Sequence, residues 1–202
     1  MMPFQSCLRL PGALAILLVL ASCIYTMPQL QVAPGAASAK LRYLAGPVNE
    51  AAFTHLYAID TSPCPARPIE RFVTGTGPSA LLFTQAQEVS NVQMLGSSAK
   101  PEAMIRERLI PADKPFIFTV DGGDVATQYT SGFSCQHGGV FVPRVGGEYE
   151  IQFEARRTGP HCGVAVFRLQ AGADGAVERI AEPSARMFLP RRDLKDYCRL
   201  KI

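Results

Sequence analysis

The clearest hydrophobic period in the chain runs over residues 148–154, where apolar and polar side chains alternate strictly. A period of two residues is typical of a β-strand with one buried and one hydrated face. We therefore expect a strand whose core face carries Tyr149, Ile151 and Phe153. Its outward face would be a well-hydrated acidic stripe, made of Glu148, Glu150, Gln152 and Glu154.

The neighbouring segments predict two partners for this strand, which would complete an antiparallel meander. Gly146 and Gly147 precede the strand and favour a tight hairpin from another strand at residues 139–142. After a turn at Gly159-Pro160, residues 163–169 form an unbroken apolar run. Such a run is typical of a strand that is covered on both faces.

Short apolar runs bounded by Gly, Pro, Ser or Asp predict further strands, at residues 53–59, 81–84, 92–95, 116–120 and 177–180. Segment 101–110 fits either a helix or a strand, and we favour the strand because residues 110–116 are typical of a turn between two strands. Asp121-Gly122 predicts another turn after residues 116–120. Together these elements predict an all-β fold, an antiparallel β-sandwich of the immunoglobulin-like or transthyretin-like kind.

Composition limits the number of domains and the classes of partner. The chain has 202 residues, of which 48% are hydrophobic and 18% are charged. This length and this apolar content fit one folded domain, which we place at residues 41–202. The formal net charge is only +3, and the chain has no block of like charges. A nucleic-acid-binding protein carries a basic patch or stripe, so we exclude nucleic acid as the main partner.

The N-terminus has the organisation of an export signal. Arg9 is the only charged residue before the apolar run at residues 13–20. This run is far shorter than the roughly 20 residues that span a bilayer, which favours a cleaved signal peptide over a membrane helix. We expect residues 1–22 to be removed from the mature protein.

The predicted cleavage site, Leu20-Ala21-Ser22-Cys23, resembles the lipobox of bacterial lipoproteins. This resemblance covers only the N-terminal segment. It implies that Cys23 becomes the first residue, carrying a thioether-linked diacylglycerol and an N-acyl chain, which together anchor the protein firmly in a lipid bilayer. In the Gram-negative sorting pattern, Ile24 after the cysteine implies the periplasmic face of the outer membrane. Residues 23–40, with Pro28, Pro34 and Gly35, are predicted to be the lipidated N-terminus and a flexible tether.

The remaining cysteines are Cys64, Cys135, Cys162 and Cys198, an even number that fits an oxidising compartment. Three pairings are possible. The predicted meander brings Cys135 near Cys162, so we expect that disulfide and a second one between Cys64 and Cys198. The alternative is a metal site, because Cys135, His137, His161 and Cys162 are ligands that tetrahedral zinc accepts.

Motifs for catalysis are incomplete. Residues 132–136 lack the second glycine of a nucleophile elbow, and residues 75–80 contain only two of the glycines of a dinucleotide-binding loop. His55 alternates with Phe53, Tyr57 and Ile59, so we interpret it as a packing residue on a strand rather than a general base. We expect neither enzymatic activity nor a cofactor.

Two surface features complete the prediction. Basic residues near the C-terminus would form either a solvated segment or a patch for anionic lipids or an acidic partner; they are Arg186, Arg191, Arg192, Lys195, Arg199 and Lys201. Segments 61–78 and 121–136 have no strong period, and we predict that a partner binds these two loops rather than the acidic stripe.

These observations predict a non-catalytic lipoprotein that acts as a binding or assembly module of the cell envelope, with an envelope protein as its partner. An alternative is an inhibitor or immunity lipoprotein that neutralises an incoming enzyme. A hydrolase is the third hypothesis.

Overall fold

The computed structural model describes residues 32–46, 53–60, 66–74, 92–96, 105–124, 133–155, 162–190 and 197–198. These residues form ten strands: β1 (Ser38–Gly46), β2 (Phe53–Asp60), β3 (Arg67–Thr74), β4 (Ile105–Pro111), β5 (Phe116–Asp124), β6 (Phe133–Phe141), β7 (Glu148–Ala155), β8 (Cys162–Ala171), β9 (Val177–Ala181) and β10 (Arg186–Phe188). In the described part of the chain, no helix is long and apolar enough to cross a membrane.

The strands form two five-stranded sheets. Sheet A has the order β4-β1-β7-β8-β9, and sheet B has the order β10-β6-β5-β2-β3. The predicted all-β sandwich is therefore confirmed. One pairing departs from the antiparallel prediction, because β1 runs parallel to β7 in the centre of sheet A.

Aromatic side chains from both sheets fill the space between them. Tyr43, Tyr149 and Phe153 of sheet A and Phe118 and Phe141 of sheet B are all at most 1% exposed. The rings of Phe141 and Tyr149 lie 5.1 Å apart across the core. The predicted inward face of β7 is confirmed, because Tyr149, Ile151 and Phe153 all belong to this cluster.

The predicted hairpin between β6 and β7 is wrong. The two strands lie in different sheets, so residues 142–147 carry the chain from sheet B to sheet A. Gly146 has a positive φ of 70°, which favours glycine, and the backbone N–H of Arg144 donates to the Tyr149 hydroxyl at 2.8 Å. The glycines therefore form a turn, as predicted, but this turn joins the two sheets.

The second half of the meander is confirmed, because β7 pairs with β8 in antiparallel register. The prediction that residues 163–169 are covered on both faces is wrong, since only Val166 and Leu169 are buried in that strand. β8 is second from the edge of sheet A, and most of its residues are half-buried or exposed. The apolar run therefore predicted more burial of this strand than the structure shows.

Strands predicted at residues 53–59, 116–120 and 177–180 are confirmed, and segment 105–111 is a strand rather than a helix. The segment at 92–95 is not a strand, because Gln93 and Gly96 have positive φ values of 51° and 69° that break the extended backbone. The strand predicted at 81–84 lies outside the described residues.

Four strands extend into segments predicted to be irregular. β1 begins at Ser38, inside the predicted tether, and β3 lies within the predicted loop 61–78. Residues 121–124 belong to β5 and residues 133–136 to β6, so Asp121-Gly122 is not a turn. Pairing with neighbouring strands overrode the local glycine and proline signals in each case.

A disulfide joins Cys135 of β6 to Cys162 of β8, with a Cα–Cα distance of 5.6 Å. This is the pairing predicted from the sequence, and it connects the two sheets. Cys198 is also disulfide-bonded. Cys64, its predicted partner, lies outside the described residues.

Candidate functional site

The face of sheet A that points away from the core carries a buried network of charges. Arg42 of β1 lies between Glu107 of β4 and Glu150 of β7, with N–O distances of 3.1 Å to each. Arg179 of β9 contacts the other side of Glu150 at 2.7 Å. The side chain of Glu150 is 0% exposed, so the prediction of a hydrated acidic stripe is wrong at its centre.

Residues 92–96 cover part of this face and explain the burial. Arg42 donates to the backbone carbonyl of Leu95 at 2.6 Å, and the Leu95 N–H donates to Glu148 at 2.7 Å. Lys40 donates to the carbonyl of Gln93 and to Glu148, both at 3.0 Å. Polar groups of the sheet and the backbone of this segment therefore satisfy one another.

The environment of Glu150 stabilises its charge. Burial alone would raise the pKa of this carboxyl group, but hydrogen bonds from Arg179, Gln152 and Arg42, together with the Arg179 charge, lower the pKa below its usual value. Glu150 is therefore a charged structural group at neutral pH. Its hydrogen-bond partners are Arg42, Gln152 and Arg179.

The outer face of sheet B has a different composition. A small apolar cluster forms there from Ala66, Ile117, Val140 and Tyr197, with Phe188 packed against it. The rings of Phe188 and Tyr197 lie 5.9 Å apart. The C-terminal segment therefore covers one part of this face, and the disulfide at Cys198 fastens it one residue after Tyr197.

Beside this cluster lies a pocket of about 350 Å³. Its size falls at the lower end of the range of roughly 300–1,000 Å³ found for small-molecule sites. The pocket is lined by Tyr57, Ile59, Pro68, Thr119, Val120, Asp121, Gln136, Pro190 and Tyr197. It therefore combines apolar walls with a few polar side chains, as ligand sites commonly do.

Strand register brings the polar side chains of the pocket together. Tyr57 is paired with Thr119, and Asp121 is paired with both His55 and Gln136 across β2, β5 and β6. Directly paired residues on one face of a sheet have Cβ atoms about 5 Å apart. The pocket floor is thus a regular piece of sheet rather than a loop.

Asp121 is the polar group with unused hydrogen-bonding capacity. Its Oδ2 lies 3.3 Å from Nδ1 of His55, whose side chain is 13% exposed. Its Oδ1 is buried and accepts no hydrogen bond within the described residues. This oxygen has almost no accessible surface, and a buried acceptor without a partner is destabilising by about 1–3 kcal/mol.

The predicted zinc alternative conflicts with the observed disulfide. The sulfurs of Cys135 and Cys162 are bonded to each other and are not available as thiolate ligands. His137 instead donates through Nε2 to the carbonyl of Cys162 at 2.8 Å, while His161 lies outside the described residues. Across the described ranges, no group of three His, Cys, Asp or Glu side chains could hold a metal ion.

Several other predicted features lie outside the described residues: Cys23, segment 75–80, and the basic residues Arg191, Arg192, Lys195, Arg199 and Lys201. Arg186 is described and exposed on β10. The two predicted recognition loops contribute to the pocket through Pro68, Asp121 and Gln136, but these residues are in strands.

Sequence reasoning placed Asp121 and Gln136 at the two ends of a predicted recognition loop and missed that they are paired residues of neighbouring strands. The available signal was the alternation that continues from Ile117 through Thr119 to Asp121, on the face opposite to Phe118 and Val120. The glycines at 122 and 123 obscured this period. His55 was correctly placed on a strand face with Tyr57, and its ring lies 5.9 Å from that of Tyr57.

Comparison of the chain with protein-family models, curated proteins and solved structures found no significant match.

Proposed function

We propose that this protein is a lipid-anchored binding module of the bacterial cell envelope whose recognition site is the pocket on the outer face of sheet B. The observation that carries the proposal is a pocket of about 350 Å³ whose lining includes the polar side chains of Thr119, Asp121 and Gln136 beside apolar walls. In the proposed role, the protein binds without chemical conversion.

The proposed anchor and location rest on the sequence. The segment Leu20-Ala21-Ser22-Cys23 resembles a lipobox, and Ile24 follows the cysteine. The disulfide between Cys135 and Cys162 supports an oxidising compartment such as the periplasm. We propose anchoring through acylated Cys23 at the periplasmic face of the outer membrane.

The anchor is tested by Cys23→Ser in the full chain. We expect unprocessed or soluble precursor and loss of the protein from the detergent phase. Fully processed, detergent-partitioned protein from this variant would contradict the anchor.

The recognition site is tested by photo-crosslinking in intact cells. A photoreactive residue at Tyr57 or Gln136 lies in the pocket, whereas the same residue at Gln170 or Glu178 lies on exposed positions of sheet A. We expect adducts from the two pocket positions only. Adducts from the sheet A positions alone, or from none of the four, would exclude the pocket as the recognition site. An adduct with an enzyme that this protein inhibits would replace the proposed role with the immunity alternative.

A further inference from the structure

We infer that one end of the sandwich rests on the surface of an anionic phospholipid bilayer through Lys114, Arg144 and Val145. We call it the β1 end, because β1 begins there. The inference rests on the proposed lipid anchor and names the part of the folded domain that the bilayer contacts. Three observations support it: where the chain enters the fold, how long the chain before the fold is, and which side chains this end exposes.

The strand pairings put four connecting segments at the β1 end. They are residues 33–37, 112–115, 142–147 and 172–176. Backbone hydrogen bonds hold the start of β1 against two of these segments. The Ala112 N–H donates to the carbonyl of Ala37 at 3.0 Å, and the Gly146 N–H donates to the carbonyl of Ser38 at 2.8 Å. The chain from the N-terminus therefore enters the fold beside these two turns.

The length of chain between the proposed anchor and the fold limits how the domain can sit on the membrane. Ala33 is ten residues after Cys23, and a fully extended chain of this length spans at most about 36 Å. The opposite end of the domain, at Gly46, lies about 26 Å further along β1. Contact through the opposite end would use most of the available reach, whereas the β1 end can touch the bilayer without extending the chain. The geometry therefore favours the β1 end.

The two turns beside β1 expose an apolar side chain between cations. Val145 is 59% exposed, next to exposed Arg144. Exposed Lys114 lies on the adjoining turn, which is held close because the Asp113 N–H donates to the carbonyl of Pro143 at 2.7 Å. Lysine and arginine beside a membrane are attracted to anionic lipid headgroups, and an apolar side chain next to them can enter the headgroup region.

The charge at this end is positive where the chain enters. Across the three described segments that meet at β1, two cations, Lys114 and Arg144, outnumber one carboxylate, Asp113. Asp174 lies on the fourth segment, between β8 and the edge strand β9, where its Oδ1 accepts from the Ala176 N–H at 2.9 Å. Anionic lipid therefore matches the side of the β1 end that lies nearest to the anchor.

The experiment measures contact with lipid in the processed full chain, placed in vesicles of phosphatidylethanolamine and phosphatidylglycerol. A genetically encoded fluorescent residue replaces either Val145 or Ser134, which is exposed near the start of β6 at the opposite end. The vesicles contain some lipid with a nitroxide on its headgroup, which quenches a fluorophore only at close range. We expect strong quenching at position 145 and none above background at position 134.

Two double variants test the cations with the probe at position 145. Lys114→Gln/Arg144→Gln removes both charges, and Lys114→Arg/Arg144→Lys is the matched control that keeps both. We expect loss of the charges to shift the equilibrium about tenfold or more from contact to release, and so to remove most of the quenching. The control should retain the quenching. Replacing phosphatidylglycerol by phosphatidylcholine should have the same effect as removing the charges.

Two results would overturn the inference. One is quenching at position 134 that equals or exceeds quenching at position 145. The other is quenching at position 145 that persists in Lys114→Gln/Arg144→Gln, because the chain from Cys23 alone would then hold this end near the lipid. If the protein floats with the vesicles but position 145 is not quenched, the anchor stands and the contact surface is wrong. If the processed chain does not float with the vesicles, the anchor and this inference are both wrong.

Discussion

The outer faces of the two sheets bury polar groups in opposite ways. On sheet A, Arg42 and Glu150 are 3% and 0% exposed, and each contacts oppositely charged side chains. Residues 92–96 add backbone hydrogen bonds to the same network. On sheet B, Asp121 contacts His55 through one oxygen and leaves the other buried without a partner in the described structure.

This difference separates a structural network from a candidate site. The sheet A network contains more charge, yet its groups are satisfied by one another and leave nothing for a ligand. On sheet B, Asp121 is the one carboxylate among the described residues that line the pocket. An open pocket, rather than the amount of charge, is therefore the better indicator of a binding site in this fold.

The largest expected effect comes from breaking the sheet A network. Glu150→Ala leaves Arg42 buried against a single carboxylate, Glu107. Removing one partner of a buried ion pair is destabilising by about 3–5 kcal/mol. We expect urea unfolding to show a loss of free energy in this range.

The matched control is Glu154→Ala, on the same strand and the same face but exposed. We expect it to change the free energy of unfolding by less than about 1 kcal/mol. Equal losses in the two variants would mean that the buried network does not stabilise the fold.

Removal of the disulfide should have the next largest effect. Cys135 and Cys162 are 27 residues apart, and a crosslink closing such a loop contributes about 3–4 kcal/mol in the loop-entropy model. We expect Cys135→Ala/Cys162→Ala to lose this amount in denaturant unfolding. Because neither cysteine lines the pocket, the folded variant should retain its ligand affinity. A loss of affinity in the folded variant would show that the pocket depends on the crosslink between the sheets.

Acid should weaken the buried network of sheet A. The folded-state pKa of Glu150 is lowered below its usual 4.5, so its contribution is present above that pH and is lost as the pH falls through the folded-state pKa. We expect the thermal midpoint of the protein to fall on acidification below about 4.5. Glu150→Gln should show a smaller decrease over the same range, and an unchanged pH dependence would contradict the assigned charge state.

Changes in the pocket should have the smallest effect on stability. We expect Asp121→Asn to change the free energy of unfolding by less than about 1 kcal/mol, because it removes an imperfectly satisfied carboxylate. The thermal unfolding of Asp121→Asn is measured in parallel with that of Glu150→Gln, and the two losses of stability are compared. A larger loss in Asp121→Asn would make Asp121 a structural residue like Glu150.

The sequence predicts the sandwich well wherever one face of a strand is buried. The alternation around Tyr149 identified β7 and its core face, because hydrophobic burial imposes the period directly. The same alternation could not reveal that Glu150 is buried on the other face. Its burial depends on Arg42, Arg179 and residues 92–96, which come from three distant parts of the chain.

The sequence predicts the candidate site less well, for a related reason. The pocket arises where β2, β5 and β6 pair and where Pro190 and Tyr197 of the C-terminal region contact them. Gly122 and Gly123 favour a turn locally, but their pairing with β2 and β6 keeps them in a strand. Only the tertiary arrangement brings Asp121 and Gln136 into one pocket.

The most direct test of the contrast between the two faces is photo-crosslinking in intact cells, with the photoreactive residue placed in turn at Tyr57 and Gln136 on sheet B and at Gln170 and Glu178 on sheet A. The account predicts adducts from the two sheet B positions and none from the two sheet A positions. Adducts from the sheet A positions alone, or from none of the four, would contradict the assignment of sheet B as the binding face.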